Sequence, residues 1–239
     1  MLQSGSYPLQ PRKIALIGNY LPRRCGIATF SSDLVTALNA ENPEGECWAV
    51  VMNDKPEGYR YPSQVRFEVN QRMLTDYRPA ADFLNMNRVE VVCLQHEYGI
   101  FGGENGGHVL DLLSNLRMPL VTTLHTVLQD PTPGQLAMTQ RIARLSDRLV
   151  VMSRRAEQIL RDVYGVSAGK ITVIHHGIPD VPFVDPNYYK DQYDVEGRKV
   201  ILTFGLLSPG KGIETMIDAL PAVIQRHPEA VYIVLGATH

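Results

Sequence analysis

Residues 13–40 read KIALIGNYLPRRCGIATFSSDLVTALNA, and this stretch decides the fold. Its first part, Ile14–Ile17, is apolar at every position and rich in β-branched and branched-chain residues, as expected of a strand covered on both faces. Gly18 to Gly26 then forms a loop with glycine, Pro22, Arg23 and Arg24. After it, Ile27, Phe30, Leu34 and Leu38 recur at helical spacing. A buried strand, a short loop and an amphipathic helix form half of a βαβ unit, which places parallel strands in a sheet.

The same alternation continues along the chain. Apolar runs at Cys47–Met52, Val89–Leu94, Leu120–Leu124, Leu149–Met152, Ile171–Ile174, Val200–Phe204 and Val231–Leu235 predict further strands, with Val65–Val69 a weaker, alternating one. Helical patterns fall at Met138, Ile142 and Leu145 and at Ile213, Ile217, Leu220 and Ile224. Thr132-Pro-Gly-Gln135 reads as a capping box with proline at the first helical position. Ser153 suits the N-cap of the next helix, Gly165 its stop, and Pro221 is expected to kink the last helix. The fold class is therefore α/β, a Rossmann-like doubly wound parallel sheet, with ligands expected at the carboxyl ends of the strands.

Length and charge limit the rest. A chain of 239 residues allows one or two domains. The 23 basic and 25 acidic side chains leave a net charge of −2, which argues against a polyanion-binding surface and so against nucleic acid as a partner. Cys25, Cys47 and Cys93 are too few for a disulfide scaffold, which fits a reducing compartment, and a cytoplasmic location is expected. The first residues lack the apolar core of a signal peptide, and no apolar run reaches the length of a spanning helix. Peripheral membrane contact stays open. Near Val181 the pattern changes. Residues 1–12 read as a tail, 13–181 as one domain, 182–198 as a linker, and 199–239 as the first βαβ of a second domain.

Four segments carry candidate chemistry. The loop before Gly26 can offer helix N–H groups to an anion, or be an ordinary βα turn. It lacks GxGxxG, so a nicotinamide site is poorly supported. Gln95-His96-Glu97-Tyr98-Gly99-Ile100-Phe101-Gly102-Gly103 follows a strand, and its glycines with Gly106 and Gly107 imply close approach to a ligand. The alternative there is a flexible turn with a surface histidine. HExxH fails because Ile100 holds the fifth position, and no histidine, cysteine or carboxylate set has zinc-ligand spacing. Thr123-Leu-His125 ends the next strand, so His96 and His125 are expected in one cleft. His175-His176 could line that cleft or be structural. Gly205-Leu-Leu-Ser-Pro-Gly-Lys211-Gly212 nearly matches a phosphate loop, but Gly212 lacks the hydroxyl for Mg²⁺ and Pro209 lacks an N–H. Lys211 can neutralise a diphosphate or simply be a solvated lysine.

In order and spacing these segments resemble the family 4 retaining glycosyltransferases of GT-B fold. The matching pieces are Pro22–Phe30, Gln95–Gly103, Thr123–His125, Val150–Ser153, Val173–Ile178 and Gly205–Glu214. The QHEYGIFGG segment is similar to a bacterial subgroup associated in part with mannose-containing glycans. The resemblance implies an acceptor-side GT-B N-terminal domain and a donor-binding second Rossmann-like domain, here truncated. The expected reaction transfers a hexosyl group, such as mannosyl or glucosyl, from a nucleotide sugar to a glycan or small acceptor. Gly26 and Lys211 are implied at the donor diphosphate, His125 and Lys211 in catalysis, and His96, Glu97 and Tyr98 on the acceptor side. No cofactor and no metal are expected, since positive side chains and helix dipoles replace the metal in this family.

Three departures stand out. Leu206 replaces an arginine common in the family, and His175-His176-Gly177 replaces Pro-Asn-Gly. The family's pair of glutamates seven residues apart falls later than His239, so this chain is expected to be an incomplete enzyme with weak or absent transfer on its own. The alternatives are a non-catalytic sugar- or partner-binding module, a GT-B nucleotide-sugar epimerase and, least supported, a phosphate-loop hydrolase.

Overall fold

The structure is a computed structural model and describes residues 11–178 and 181–238. The chain divides after Gly177 into two compact units. In the first, seven strands form one sheet: β1 (Lys13–Gly18), β2 (Glu46–Asn53), β3 (Val65–Asn70), β4 (Val91–His96), β5 (Leu120–Leu124), β6 (Arg148–Val151) and β7 (Ile171–Val173). All neighbours are parallel, in the order β3-β2-β1-β4-β5-β6-β7. The strand order reverses at β1, whose Leu16 pairs with Ala49 on one side and Cys93 on the other. In open α/β sheets ligands bind beside such a reversal, at the carboxyl ends of the strands.

The continuous apolar runs have a direct physical cause. Successive residues of β1 point to opposite faces, and helices cover both. Ala15 and Ile17 join Trp48, Val50 and Met52 in a core with Tyr77, Ala80 and Leu84 of α2 (Tyr77–Met86) and with α3 (Val109–Leu113). Ile14 and Leu16 face the other way, with Cys47, Ala49 and Val35 of α1 (Gly26–Glu41). A third core joins Leu149 and Val151 to Ile159, Leu160 and Tyr164, from α5 (Arg154–Asp162) and the residues after it. Each large apolar side chain buried this way stabilises the fold by about 1.5–3 kcal/mol.

The helix starts follow the sequence. α4 (Pro133–Leu145) carries the full Thr132–Gln135 capping box, and Ser153 accepts from the Ala156 N–H at the head of α5. Gly165 takes a left-handed conformation just past α5. The three cysteines are unpaired, and burial pushes the Cys47 and Cys93 thiols up to about 12 and about 11. Among the described residues no helix is long and apolar enough to cross a membrane.

The second unit pairs β8 (Lys199–Leu207) with β9 (Ala230–Thr238) in parallel, joined by α7 (Ile213–Arg226). α7 runs on through Pro221. The segment expected as a plain linker holds a helix, α6 (Pro186–Asp191), capped by Asp185. Tyr189 and Tyr193 beside it line an apolar cavity of about 320 Å³ over Val200, Leu202, Ile233 and Leu235. This packing gives Tyr189 and Tyr193 apolar partners, while Phe183 and Tyr188 stay exposed.

Candidate active site at the carboxyl ends of the strands

The loop between β1 and α1 is built around Arg23. Its Nη1 donates to Asn19 Oδ1 at 3.1 Å, to the Met52 carbonyl at 3.0 Å and to Gln71 Oε1 at 3.1 Å. Its Nη2 lies 3.4 Å from Asp54 Oδ2. Arg23 thus ties the loop to the ends of β2 and β3, and its charge is spent within the protein, while Arg24 is exposed. Cys25 is the N-cap of α1: its sulfur accepts from the Ala28 N–H at 3.4 Å and from Asn19 Nδ2 at 3.3 Å. Gly26 follows as the first helical residue, exposed, with open space where a Cβ would stand.

The ends of β4 and β5 meet as expected, since the His125 N–H donates to the His96 carbonyl at 3.0 Å. The two imidazoles nevertheless have different surroundings. The His125 ring is partly exposed and stands edge-on to Phe30 of α1, with centroids 4.8 Å apart. His176, after β7, packs on the same phenyl ring at 5.2 Å. His125 Nε2 lies 2.9 Å from Gln95 Oε1. Burial, and secondarily the nearby His176, push the His125 pKa down to about 4. His175 is exposed.

His96 is not on the open side. It has no exposed surface, stacks on Phe101 at 6.0 Å and meets Tyr98 edge-on at 5.2 Å, and neither ring nitrogen has a partner among the described residues. Burial holds it neutral, with a pKa near 4. The reason is pleat direction: at the last position of β4 the side chain turns into the core that receives Ile100 and Phe101. Glu97 is half-buried and fixed in place, accepting from its neighbour's Tyr98 N–H at 2.9 Å and from the Thr126 hydroxyl. The Tyr98 hydroxyl is paired with Thr139 Oγ1 at 2.6 Å. The glycine-rich loop is closely packed at one of its glycines. A Cβ on Gly102 would lie 1.9 Å from the Gln71 carbonyl and 2.6 Å from His108 Nδ1. At Gly102 the loop packs on its own chain, while Gly99 has open space at its Cβ position.

Beside His125 is a cavity of about 250 Å³. Leu124, Val127, Met152 and Ile159 form its apolar lining, with Ser153 and Arg155 as polar members. Gln129 accepts a hydrogen bond from Arg155. Among the described residues no three histidine, cysteine or carboxylate side chains cluster as metal ligands.

Lys211 belongs to the second unit. It closes a short 3-10 turn, Pro209–Lys211, after β8, and its ammonium folds back over Gly205, 3.5 Å from where a Cβ would stand. Gly212, with positive φ, begins α7 with no side-chain cap. The Leu206 side chain lies outside the described ones. Sequence reasoning singled out His125 and its neighbours but not Gln95 or Phe30 by role. The signal for Gln95 was present: a polar residue directly after the apolar run Val91–Leu94.

Comparison with known proteins agrees with this architecture. YtcC of Bacillus subtilis (strain 168), a glycosyltransferase by name, is 42% identical over 48 residues, which are 20% of this chain and 12% of that protein. Anabaena Alr3699/HepE, solved in complex with UDP and glucose, superposes with a TM-score of 0.67 at 18% identity, over 96% of this chain and 62% of that one. The UDP-GlcNAc 2-epimerase of Methanocaldococcus jannaschii gives 0.54 at 14% identity, over 92% and 65%. This chain therefore spans under two thirds of each relative's length. The Glycosyltransferase Family 4 profile matches residues 26–180, most of the first unit and well over half of the chain, and the protein belongs to that family.

Proposed function

We propose that this chain takes part in retaining transfer of a hexosyl group, such as mannosyl or glucosyl, from a nucleotide sugar to a glycan or small acceptor. The observation that carries the reading is the gathering of α1's amino end, Gln95 and His125 at the strand-order reversal, in a chain of this family. In this reading Gly26 lies under the donor diphosphate, where free N–H groups favour an anion. Lys211, in the second unit, supplies a point charge to a donor phosphate and stabilises the leaving nucleotide. His125, held neutral, meets the transferred sugar. The acceptor meets Glu97 and Tyr98, while His96 shapes their loop from below. No metal or cofactor takes part, and the transfer is metal-independent. The chain works in the cytoplasm.

Titration calorimetry tests the reading with UDP, GDP, UDP-glucose and GDP-mannose. One nucleotide and its sugar conjugate are expected to bind, and Lys211→Ala to weaken both about tenfold or more, as loss of one charge-assisted contact does. Absence of binding by all four would sink the proposal. A second reading, a nucleotide-sugar epimerase, draws support from the likeness to the M. jannaschii enzyme. It predicts conversion of the donor sugar with no acceptor present, which product analysis separates from transfer.

A further inference from the structure

Gln95 is the last side chain before His96 on β4, at the strand-order reversal, and it has no exposed surface. The backbone makes room for it. A Cβ on Gly18 of β1 would come within 3.0 Å of the Gln95 Cβ and 3.6 Å of its Cγ. A carboxamide in such a place is costly. Its Nε2 has no partner among the described residues, and an unsatisfied buried donor costs about 1–3 kcal/mol. Its Oε1, however, meets His125 Nε2 at 2.9 Å.

We propose that Gln95 is a positioning residue that locks His125 in a single neutral tautomer, with the proton on Nε2 and the lone pair on Nδ1. An amide oxygen only accepts, so the ring nitrogen facing it must carry the proton. Phe30, edge-on at 4.8 Å, fixes the plane of the ring. Nδ1 has no hydrogen-bond partner among the described residues, and the ring borders the 250 Å³ cavity. The other titratable or charged groups around His125 are His96 on β4, His176 after β7, Glu97 at the end of β4 and Arg155 on the cavity wall. In this tautomer Nδ1 is an acceptor, suited to a sugar hydroxyl and unsuited to a phosphate oxygen. That ligand preference rests on the proposed glycosyl-transfer reading. The tautomer does not, because it belongs to the free protein.

The test is long-range ¹H–¹⁵N correlation on the full chain labelled at histidine nitrogens, at about pH 7, with His125 assigned by loss of its signals in His125→Gln. The expected result is one protonated Nε2 and one lone-pair Nδ1. A proton on Nδ1, or averaged shifts of exchanging tautomers, overturns the proposal. Gln95→Met, close in shape, is expected to release the ring into tautomer exchange, and Gln95→Glu to restore protonation at Nε2. A folded Gln95→Met protein that keeps the single tautomer also overturns it. Should that variant not fold, the wild-type spectrum decides alone. Any nucleotide sugar found by calorimetry is expected to bind about tenfold more weakly to Gln95→Met. A locked tautomer with no sugar-nucleotide binding refutes the functional reading and leaves the lock standing. Sugar-nucleotide binding without the lock does the reverse.

Discussion

Arg23, in the loop after β1, donates to the main-chain carbonyl of Met52, near the end of β2, across 3.0 Å. The same guanidinium holds Asn19 and Gln71 and lies beside Asp54, so one side chain joins three loops at the carboxyl edge of the sheet. Its neighbour Arg24 projects to solvent. Arg23→Ala strands several polar partners at once. Hydrogen bonds to a charged donor contribute about 1.5–3 kcal/mol each, and the half-exposed Asp54 contact adds little. Nη1 has two protons for its three acceptors and the part-buried partners rehydrate in the variant, so the expected net loss is about 2–4 kcal/mol by urea denaturation, against under about 0.5 kcal/mol for Arg24→Ala. Equal effects would remove the distinction drawn between the two arginines.

The glycines after His96 make a second contrast. Gly102 faces the Gln71 carbonyl so closely that a methyl group cannot fit without moving backbone, whereas Gly99 is exposed with nothing within 4 Å of its Cβ position. Gly102→Ala is expected to cost about 2 kcal/mol or more, in the range of overpacked sites. Gly99→Ala is expected to stay within about 0.5 kcal/mol of wild type. Thermal unfolding of the two variants reads the difference. A tolerated Gly102→Ala means that the loop is not packed on its own chain.

Much of the sheet could be read from residues alone, because a strand covered on both faces is apolar at every position, as in Ile14–Ile17 and Cys47–Met52. α4 and α5 were legible through their caps. α2 was not, although Tyr77, Ala80, Ala81 and Leu84 are its buried face: two of the four are alanine, and Pro79 sits in the first turn. α3 and α6 have five and six residues, too short for periodicity to show. At the site, adjacency of His96 and His125 followed from parallel neighbouring strands. The opposite orientations of their rings did not. Their directions follow from the pleat and the pairing register, which sets His96 beside Leu124 and leaves His125 one residue out of step, and that register is not written in either strand alone.

His96 gives the last prediction, and its sign follows from burial. In the folded chain its pKa falls to about 4, from an ordinary value of 6.5. On lowering the pH from 7 toward 4, the unfolded chain binds a proton that the folded chain refuses. The stability held by the neutral ring is thus complete above about pH 6.5 and is lost progressively down to about pH 4. Each unit of separation is worth about 1.4 kcal/mol, so at pH 5 the loss from this residue is about 2 kcal/mol. His125 adds a loss of the same sign. His96→Phe removes the titration, keeps a ring against Phe101 and deletes two unpartnered nitrogens. At pH 7 the variant is expected within about 1 kcal/mol of wild type, since relief of the unpaired nitrogens offsets the added bulk. At pH 5 it is expected to exceed wild type by about 2 kcal/mol more than at pH 7. Denaturant midpoints at the two pH values measure this. Parallel acid losses in both proteins would mean that the wild-type ring is charged or solvated in the folded state.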